Sequence, residues 1–573
     1  MFSFFKKKVW PPNKQNPPWG SAASIYAHIA THIDPARPTG LSEEGYRLPD
    51  EPASNPNKIS FAPGAMDGVM SHHGASKPEE QIVSELYAAL KRATENASES
   101  NIRALYLLIK DGSALGVIDP LIERIRLEKA LDAGRLYEIA HWFTTRAAHR
   151  EPVKFSMALL GLLRGSDDAL IFLTLGRHDE FTLYAAVAIS GNDGYGERML
   201  WKLAKAVEGW GRIHAVERLA NTTDPEIKDW LIREGYRNEV MYEYLACICA
   251  RAGDLHIALQ ADRIDDELLN SACEIVDTLI LGDGGPAEGL SHYEHGCAVV
   301  GALLEHGKGR FDSISHYSFL SRLRDWLDEH QSGEGKLQHD WSADAVDRIS
   351  ASLSDLLGKE HWKPAISSAL EVGDRQLFWN ASRVCQKFGI DPWPYFYART
   401  EAGEEYWWDL MRNSDVDRID QVLELGLKCI PLDKIATGPS AEMGLGPGYL
   451  AHAALDFILQ DLGKFPGKGW AFISAGLQSP VVRNRNMSIR ALSGWDQKDW
   501  PQEAFVALNR LKEFETDDDL RQRIEDLLAG KRFIRLQKVP SETLVSYPNR
   551  NSTTQTSPSS RGVSQTKTMG LKW

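Results

Sequence analysis

The sequence contains little cysteine and no long apolar run. Its six cysteines among 573 residues are too sparse for a disulfide framework and are not spaced like zinc-ribbon ligands, which favours a reducing compartment. Since no run of about 18 uncharged apolar residues occurs, we expect no transmembrane segment. Residues 1–20 place three consecutive lysines after a short apolar patch and lack the apolar core and cleavage site of a secretory signal. These features predict a cytoplasmic protein.

Motifs that carry catalytic chemistry are also missing in any convincing form. No nucleophile elbow, SxxK motif or Cys/His set stands in the context that its chemistry requires. The glycine-rich stretch 438–450 contains Gly444, Gly446 and Gly448, but no strand precedes it and neither Lys-Ser nor Lys-Thr follows it. A loop between two repeats explains this stretch better than a phosphate cradle. We therefore predict no catalytic residue and no cofactor.

Acidic residues outnumber basic residues, by 79 to 65, and they are unevenly distributed. Residues 1–20 hold four basic residues and no acid, and residues 531–573 hold eight basic residues and one acid. The net charge of −14 therefore corresponds to −25 on residues 21–530. This body charge disfavours a general binder of nucleic acid or anionic membranes. The basic C-terminal residues are a candidate for folding back onto the acidic body.

The negative charge is densest in residues 261–360, which hold twenty acidic and eight basic residues. Neighbours in sequence are neighbours in space in a repeat array, so this block predicts a local negative field. Two interpretations remain open: a solvated face that keeps a large protein soluble, or a docking surface for a basic partner. The prominent acids of the block are Asp262, Asp265, Asp266, Glu267, Asp325, Asp328, Glu329, Asp340, Asp344 and Asp347.

Helical periodicity dominates the chain from residue 78 to residue 530. Segments such as 78–93, 224–235 and 517–530 place apolar residues at i, i+3, i+4 and i+7, and several begin with Asp or Ser beside Pro and end at Gly. Period-two alternation beside hairpin turns is essentially missing. The pattern predicts an all-α fold, an α-solenoid of stacked antiparallel helix pairs with roughly two dozen helices.

Composition sets the limits of this array. Residues 1–77 are rich in proline, notably over 33–64, and predict an irregular N-terminal segment that is either a cap lying over a neighbouring surface or a separate module. Residues 78–530 form the predicted solenoid. Residues 531–573 are basic and polar, with too few apolar residues to bury a core, which predicts a largely disordered tail.

Two segments, 210–235 and 476–511, repeat one layout most clearly. Each shows a helix that ends in an apolar pair, a polar turn with proline and a second amphipathic helix. The second segment resembles a HEAT-type repeat in its turn and inner helix, which implies a HEAT-like superfamily fold. HEAT-like arrays mostly bind proteins, although some act on DNA bases. The small, apolar and basic positions that carry the resemblance are Val482, Arg485, Ile489 and Ala491.

Two histidine pairs near the N-terminus have the spacing of metal ligands. His28 and His32 are four residues apart and would share one helical face, as in helical zinc sites, although the general-base Glu of a zincin is absent. His72 and His73, with Asp67 upstream, would complete a site if this segment folded back. The alternative, surface or turn histidines in an N-terminal cap, is preferred, so we predict no metal ligand.

Two further clusters also have structural explanations. His292, His295 and Cys297 carry ligand atoms, but at i, i+3 and i+5 they do not share one helical face. The aromatic stretch 391–411 either exposes binding residues or fills a wide groove between repeats, and we favour the filled groove. Its aromatic residues are Trp393, Tyr395, Phe396, Tyr397, Tyr406, Trp407 and Trp408.

The favoured functional hypothesis is a non-enzymatic cytosolic scaffold that presents a helical-repeat groove and an acidic surface to another protein, specifically a basic one. A narrower hypothesis is an immunity or neutralising protein for a basic toxin or effector, because an acidic field steers a cationic partner. The alternative is an enzyme. It would be a metal-dependent hydrolase that uses His28, His32, His72 and His73, or a HEAT-like nucleic-acid-processing enzyme, which needs a cationic track for phosphates.

Overall fold

The structure is a computed structural model that describes most of the chain between residues 16 and 531. The predicted tail from 531 onwards lies outside the described residues, apart from Lys531, as do the first 15 residues. The described ranges are 16–36, 40–51, 61–73, 80–163, 168–190, 196–285, 287–332, 340–515 and 517–531.

Helices account for the regular structure of these ranges. No strand forms within them, and the only extended pairings there are two isolated bridges, Ile33 with Leu41 and Glu442 with Val481. None of the helices in these ranges combines the length and apolar character that crossing a bilayer requires. The predicted all-α fold class is confirmed.

The helices of the first half of the chain are α1 Ile25–Thr31, α2 Ala65–His73, α3 Glu80–Glu95, α4 Glu99–Lys110, α5 Ala114–Glu128, α6 Ala133–Arg146, α7 Arg150–Leu163, α8 Ala169–Leu175, α9 Asp179–Ser190, α10 Gly196–Ala204, α11 Trp210–Glu217, α12 Pro225–Trp230, α13 Glu243–Ala252, α14 Leu255–Ala258 and α15 Asp266–Gly282.

The helices of the second half are α16 Gly296–Gly307, α17 Ile314–Ser332, α18 Ala343–Leu357, α19 Trp362–Glu371, α20 Arg375–Val384, α21 Trp393–Glu401, α22 Trp407–Arg412, α23 Ile419–Cys429, α24 Leu432–Ile435, α25 Leu450–Leu462, α26 Trp470–Leu477, α27 Val482–Ser493, α28 Gln502–Phe514 and α29 Asp518–Leu528. Short 3₁₀ turns lie at Glu43–Tyr46, Leu290–His292, Cys385–Phe388, Pro447–Tyr449 and Gln497–Asp499, and a π turn at Leu231–Gly235 continues α12.

Side-chain caps set the starts of many of these helices. Asp132, Asp265, Asp374 and Asp517 each accept the backbone N–H group three residues further on, at the starts of α6, α15, α20 and α29. A capping carboxylate satisfies an N–H group that has no partner within the helix and faces the positive end of the helix dipole. The start signals read from the sequence at Asp265 and Asp517 are therefore physical helix starts, whereas the Asp119–Pro120 pair, which also resembles a start, lies inside α5.

The helices pack in the order in which the chain makes them. One row runs α5, α7, α9, α11, α13, α15 and α17, and each member packs against the next. The alternate helices close the pairs, since α10 packs between α9 and α11 and α16 packs on α15. Near the C-terminus α22, α25, α27 and α29 continue in the same manner. This nearest-neighbour order is that of an α-solenoid, as the sequence predicts.

The described parts of the N-terminal segment, residues 16–36, 40–51 and 61–73, lie along the solenoid. Trp19 packs on Trp142, with ring centroids 4.8 Å apart, and α1 packs against α6 and α8. Further along the segment Asp50 pairs with Arg150 at the start of α7, and α2 packs on α11. The described part of this segment therefore follows successive repeats of the solenoid.

A buried ion pair joins the last two repeats. Arg485 on α27 and Glu515, which follows α28, are both fully buried and form two hydrogen bonds of 2.6 and 2.9 Å. Arg485 also donates to the carbonyl groups of Ser479 and Pro480, in the turn before its own helix. Arg485, the basic position of the HEAT-like resemblance, therefore links the turn before α27 to the next repeat.

Replacing Arg485 with alanine should destabilise the C-terminal repeats selectively. Loss of one partner leaves the other charge buried and unpaired, which costs about 3–5 kcal/mol. The free energy of local opening, measured by hydrogen exchange of amides in α27 and α29, should fall by that amount. The exchange of amides in α5 to α9 should be unchanged, because a change in one repeat affects mainly the adjacent repeats.

The matched control is Lys468→Ala. Lys468 and Asp420 also join two repeats, at 2.7 Å, but both side chains are largely exposed, so the change should stay below about 1 kcal/mol. Equal effects of the two substitutions would contradict the role assigned to Arg485.

Candidate functional site

Many acids of the block 261–360 are engaged within the fold. Asp265 caps α15 through the Leu268 N–H group at 2.7 Å and pairs with Arg233 of the preceding repeat at 2.8 Å. Asp277 accepts two hydrogen bonds from Arg322 on α17, at 2.6 and 2.5 Å. These carboxylates are structural. Further acids of the block with protein partners are Asp266, Glu267, Glu274, Asp283, Glu288, Glu294 and Asp340.

A second group of acids in the block is exposed at one end of the α17–α18 hairpin. Asp325, Asp328 and Glu329 lie towards the C-terminal end of α17, and Asp344 and Asp347 lie in the first turns of α18. Because these two helices are consecutive and packed together, the two ends are neighbours. Acids near the C-terminal end of a helix meet the negative end of its dipole, so helix stability does not account for those of α17.

An open depression of about 600 Å³ lies at the other end of α18. Lys359, Lys363 and Phe388 contribute to its lining. It is therefore separated from the exposed acids by the length of α18, and its own charged groups include lysines.

The predicted aromatic stretch is largely inside the fold. Trp393 is buried, and its indole N–H donates to Ser414 at 2.8 Å. Phe396 and Tyr406 pack around Phe378, with centroid distances of 5.5 and 5.2 Å. These contacts agree with rings that fill the space between repeats. Trp407 is also buried, whereas Tyr395, Tyr397 and Trp408 are half-buried.

The candidate N-terminal histidines lie in two separate places. His28 and His32 lie together on and just after α1, with ring centroids 4.3 Å apart, and His32 Nδ1 bonds the His28 carbonyl oxygen at 2.8 Å. Burial lowers the pKa of His28. Asp67 does not face either of them, because it pairs with Lys154 on α7 at 2.8 Å.

His72 contacts α11 rather than the other predicted histidines. Its Nε2 lies 2.8 Å from Oε1 of Glu217, and its ring centroid lies 5.6 Å from that of the buried His214. Burial opposes protonation of His72, but its hydrogen bond to Glu217 raises its pKa. Of His73, only its place as the last residue of α2 is described. Among the described residues, His72, His214 and Glu217 form the one group of three or more potential metal ligands.

The second candidate ligand cluster, which the sequence analysis did not favour, does not converge. His292 is exposed and lies 3.6 Å from Asp283, whereas His295 stacks on His256 of α14 with ring centroids 3.7 Å apart. Cys297 is buried in α16. His292 ends a 3₁₀ turn, His295 precedes α16 and Cys297 lies within α16, so the three residues do not share one helix.

A polar network near the glycine-rich stretch brings a serine and a histidine together. His452 Nδ1 lies 3.1 Å from the Ser479 hydroxyl oxygen and 2.9 Å from Oδ1 of Asn484, whose amide donates to Asp456 at 2.7 Å. Ser479 is fully buried and also accepts the Val481 N–H group, so it acts as a turn residue before α27. Its hydroxyl is committed to the protein's own groups.

A buried charge cluster lies where the N-terminal segment crosses α7 and α9. Lys154 is 3% exposed and lies 2.8 Å from Asp67, 2.6 Å from Glu180 and 3.3 Å from Glu151. Burial alone would raise the pKa of Glu180, but the charge and hydrogen bond of Lys154 lower that pKa to about 2. The Tyr184 hydroxyl also donates to Asp67. The ammonium group thus joins three elements.

Glycines allow the close approach that this cluster needs. Gly64 has a φ of 72°, its N–H donates to Glu180 at 2.9 Å, and a Cβ there would lie 2.6 Å from the carbonyl oxygen of Asp179. A Cβ on Gly68 would lie 2.2 Å from the Trp210 ring. Substitution at either glycine would push the segment off the solenoid.

Sequence reasoning missed Lys154, Glu180, His214 and Glu217. The available signal was weak: His214 and Glu217 are three residues apart within the segment 210–235, so they share one face of α11. Nothing local links them to His72, more than a hundred residues earlier.

Comparisons with known proteins identify no family. No protein-family model matches the chain, and no curated protein matches it. A solved structure of a circular tandem repeat protein with novel repeat topology and enhanced subunit contact surfaces is similar over 82% of this chain and 95% of that chain, with 14% identity and a TM-score of 0.13. A TM-score this low supports no argument about function.

Replacing Lys154 with methionine should detach the N-terminal segment from the solenoid. The substitution keeps the length of the side chain and leaves several buried carboxylates without their cation, at a cost of about 3–5 kcal/mol. Limited proteolysis within residues 61–73 should become at least tenfold faster than in the wild type.

Lys110→Met is the matched control. Lys110 lies 3.9 Å from Asp111 at an exposed site, so its loss should leave proteolysis of residues 61–73 unchanged. If Lys154→Met also left that rate unchanged, Lys154 would not be what holds the segment.

Proposed function

We propose that the chain is a non-enzymatic binding protein that presents the exposed acids of the α17–α18 hairpin to a basic protein partner. The observation that carries this proposal is the division of the acidic block. Many of its carboxylates cap helices or pair with arginines of neighbouring repeats, while Asp325, Asp344 and Asp347 stand exposed at one end of one hairpin.

The supporting argument is electrostatic. The side chains of Asp344 and Asp347 form no hydrogen bond or ion pair with any residue that the structure describes. On these neighbouring helix ends five exposed acids outnumber Arg324 and Arg348, so the local electrostatic potential is negative, which speeds the association of a cation. The dipole of α18 favours Asp344 in its first turn, but the acids towards the C-terminal end of α17 gain nothing from the dipole of their helix, so helix stability does not explain them.

A solenoid suits this role because each repeat exposes surface that its neighbours do not cover. A narrower version of the proposal is that the basic partner is a toxin or effector that this chain neutralises. The support for that version is charge complementarity. We also propose that the repeats are HEAT-like, because the sequence around Arg485 resembles a HEAT-type repeat.

Charge reversal of Asp325, Asp344 and Asp347 to lysine should weaken binding of a basic probe. A decalysine peptide, titrated into the full chain at low salt, should lose at least about tenfold in affinity, which corresponds to about 1.4 kcal/mol. The salt dependence of the remaining binding should also become shallower, because fewer fixed charges take part.

The matched control reverses three exposed glutamates elsewhere, Glu123, Glu424 and Glu503, so that the net charge changes equally. It should retain wild-type binding. Equal weakening by both triple variants would show a general charge effect and overturn the proposed surface. In cells of the native host, a partner captured by the wild type and by the control variant must be lost from the Asp325, Asp344 and Asp347 variant. Recovery of no such partner would contradict the proposed function.

A further inference from the structure

We propose that His72, His214 and Glu217 bind a divalent transition-metal ion of the zinc type, and that this ion fastens α2 of the N-terminal segment to α11 of the solenoid. This site is distinct from the exposed acids of α17 and α18. It also differs from the alternative histidine set considered from sequence, since it combines one N-terminal histidine with two residues of a solenoid helix.

The hydrogen bonds of His72 show that a positive species belongs between His72 and Glu217. Nδ1 of His72 lies 2.8 Å from the carbonyl oxygen of Gly68, which can only accept, so Nδ1 carries the N–H. In the neutral ring Nε2 then holds a lone pair, and it faces a carboxylate oxygen of Glu217 at 2.8 Å. Two acceptors at this distance require a cation between them.

His214 distinguishes a metal ion from a proton in that position. This side chain is 2% exposed, and Nδ1 is the nitrogen that lies near Glu217. Its Nδ1 lies 3.8 Å from Oε2 of Glu217, too far for a hydrogen bond. A proton held between His72 and Glu217 would leave this Nδ1 without a bond to Glu217, whereas a metal ion there accepts Nδ1 as a third ligand.

The distances fit coordination once the side chains move together by up to about 1.4 Å. One ligand atom from each of the three residues lies within 4.8 Å of the others. Tetrahedral zinc with bonds of about 2.0–2.1 Å places its ligand atoms about 3.4 Å apart, and the measured separations of 2.8 and 3.8 Å lie on either side of that value. The carbonyl of Gly68 supplies the outer hydrogen bond that orients many metal-bound imidazoles.

The surroundings restrict water and fix the two helices. The ring of His72 lies 5.6 Å from that of Trp210 and 5.3 Å from that of Tyr244 on α13, measured between centroids. Gly68 lies directly against the Trp210 ring, which brings α2 close to α11. Two imidazole nitrogens and one carboxylate favour zinc or a similar divalent ion over calcium or magnesium, which prefer sets of oxygen ligands.

The experiment uses the full chain, stripped with a chelator and dialysed, with ZnCl₂ and CoCl₂ as probes. Metal analysis after equilibrium dialysis should find one zinc ion per chain, and cobalt should give the visible absorption of a tetrahedral nitrogen and oxygen site. His214→Gln and Glu217→Gln should each weaken zinc binding by at least a hundredfold. His292→Gln, which removes an exposed histidine elsewhere, should bind zinc as the wild type does.

Hydrogen exchange of the wild type provides a readout that needs no variant. At a free zinc concentration of 100 times the Kd, local opening of α2 and α11 should slow by about a hundredfold, since the ion binds the docked state alone. Absence of zinc uptake by the wild type, undiminished uptake in the two Gln variants, or protection confined to other helices would each overturn the proposal. If a Gln variant fails to fold, the location of protection in the wild type decides.

Discussion

The structure depends on the fact that one amphipathic helix pair cannot bury its own apolar face. Helix α9 shows the consequence: residues 180–189 are all buried, because α7, α8, α10 and α11 surround it. A helix covered on every side needs neighbours before and after it in the chain. Stacking in sequence order supplies them without a long connection, which is why the contacts between helices follow the order of the chain.

The same requirement explains why charged groups enter the interior. Lys154 and Arg485 both sit where three backbone elements meet, and each is surrounded by carboxylates or carbonyl groups from those elements. Apolar contacts hold helices together with little preference for one register. A buried charge with several partners is satisfied in one arrangement, because any shift of a helix would separate it from a partner and leave a group unpaired.

Local features were predictable from sequence and long-range pairings were not. Helix starts such as Asp265 and Asp517 were readable because a cap and its N–H partner lie three residues apart. The total charge of residues 261–360 was equally readable, but the division of its acids was not, since Asp277 becomes structural only through Arg322 on another helix. His72 was noticed without its partners, which the fold brings from residues 214 and 217.

The two proposed sites occupy different parts of one array, and the repeat order limits how they affect each other. The histidine cluster lies at α2 and α11, whereas the exposed acids lie at α17 and α18, with α13 and α15 between them in the row. In a solenoid, a change at one repeat is felt mainly by the adjacent repeats. Fastening the N-terminal segment therefore stabilises the repeats from α7 to α13. The negative charge that a basic partner would meet does not depend on this fastening. It depends on the exposed acids of α17 and α18.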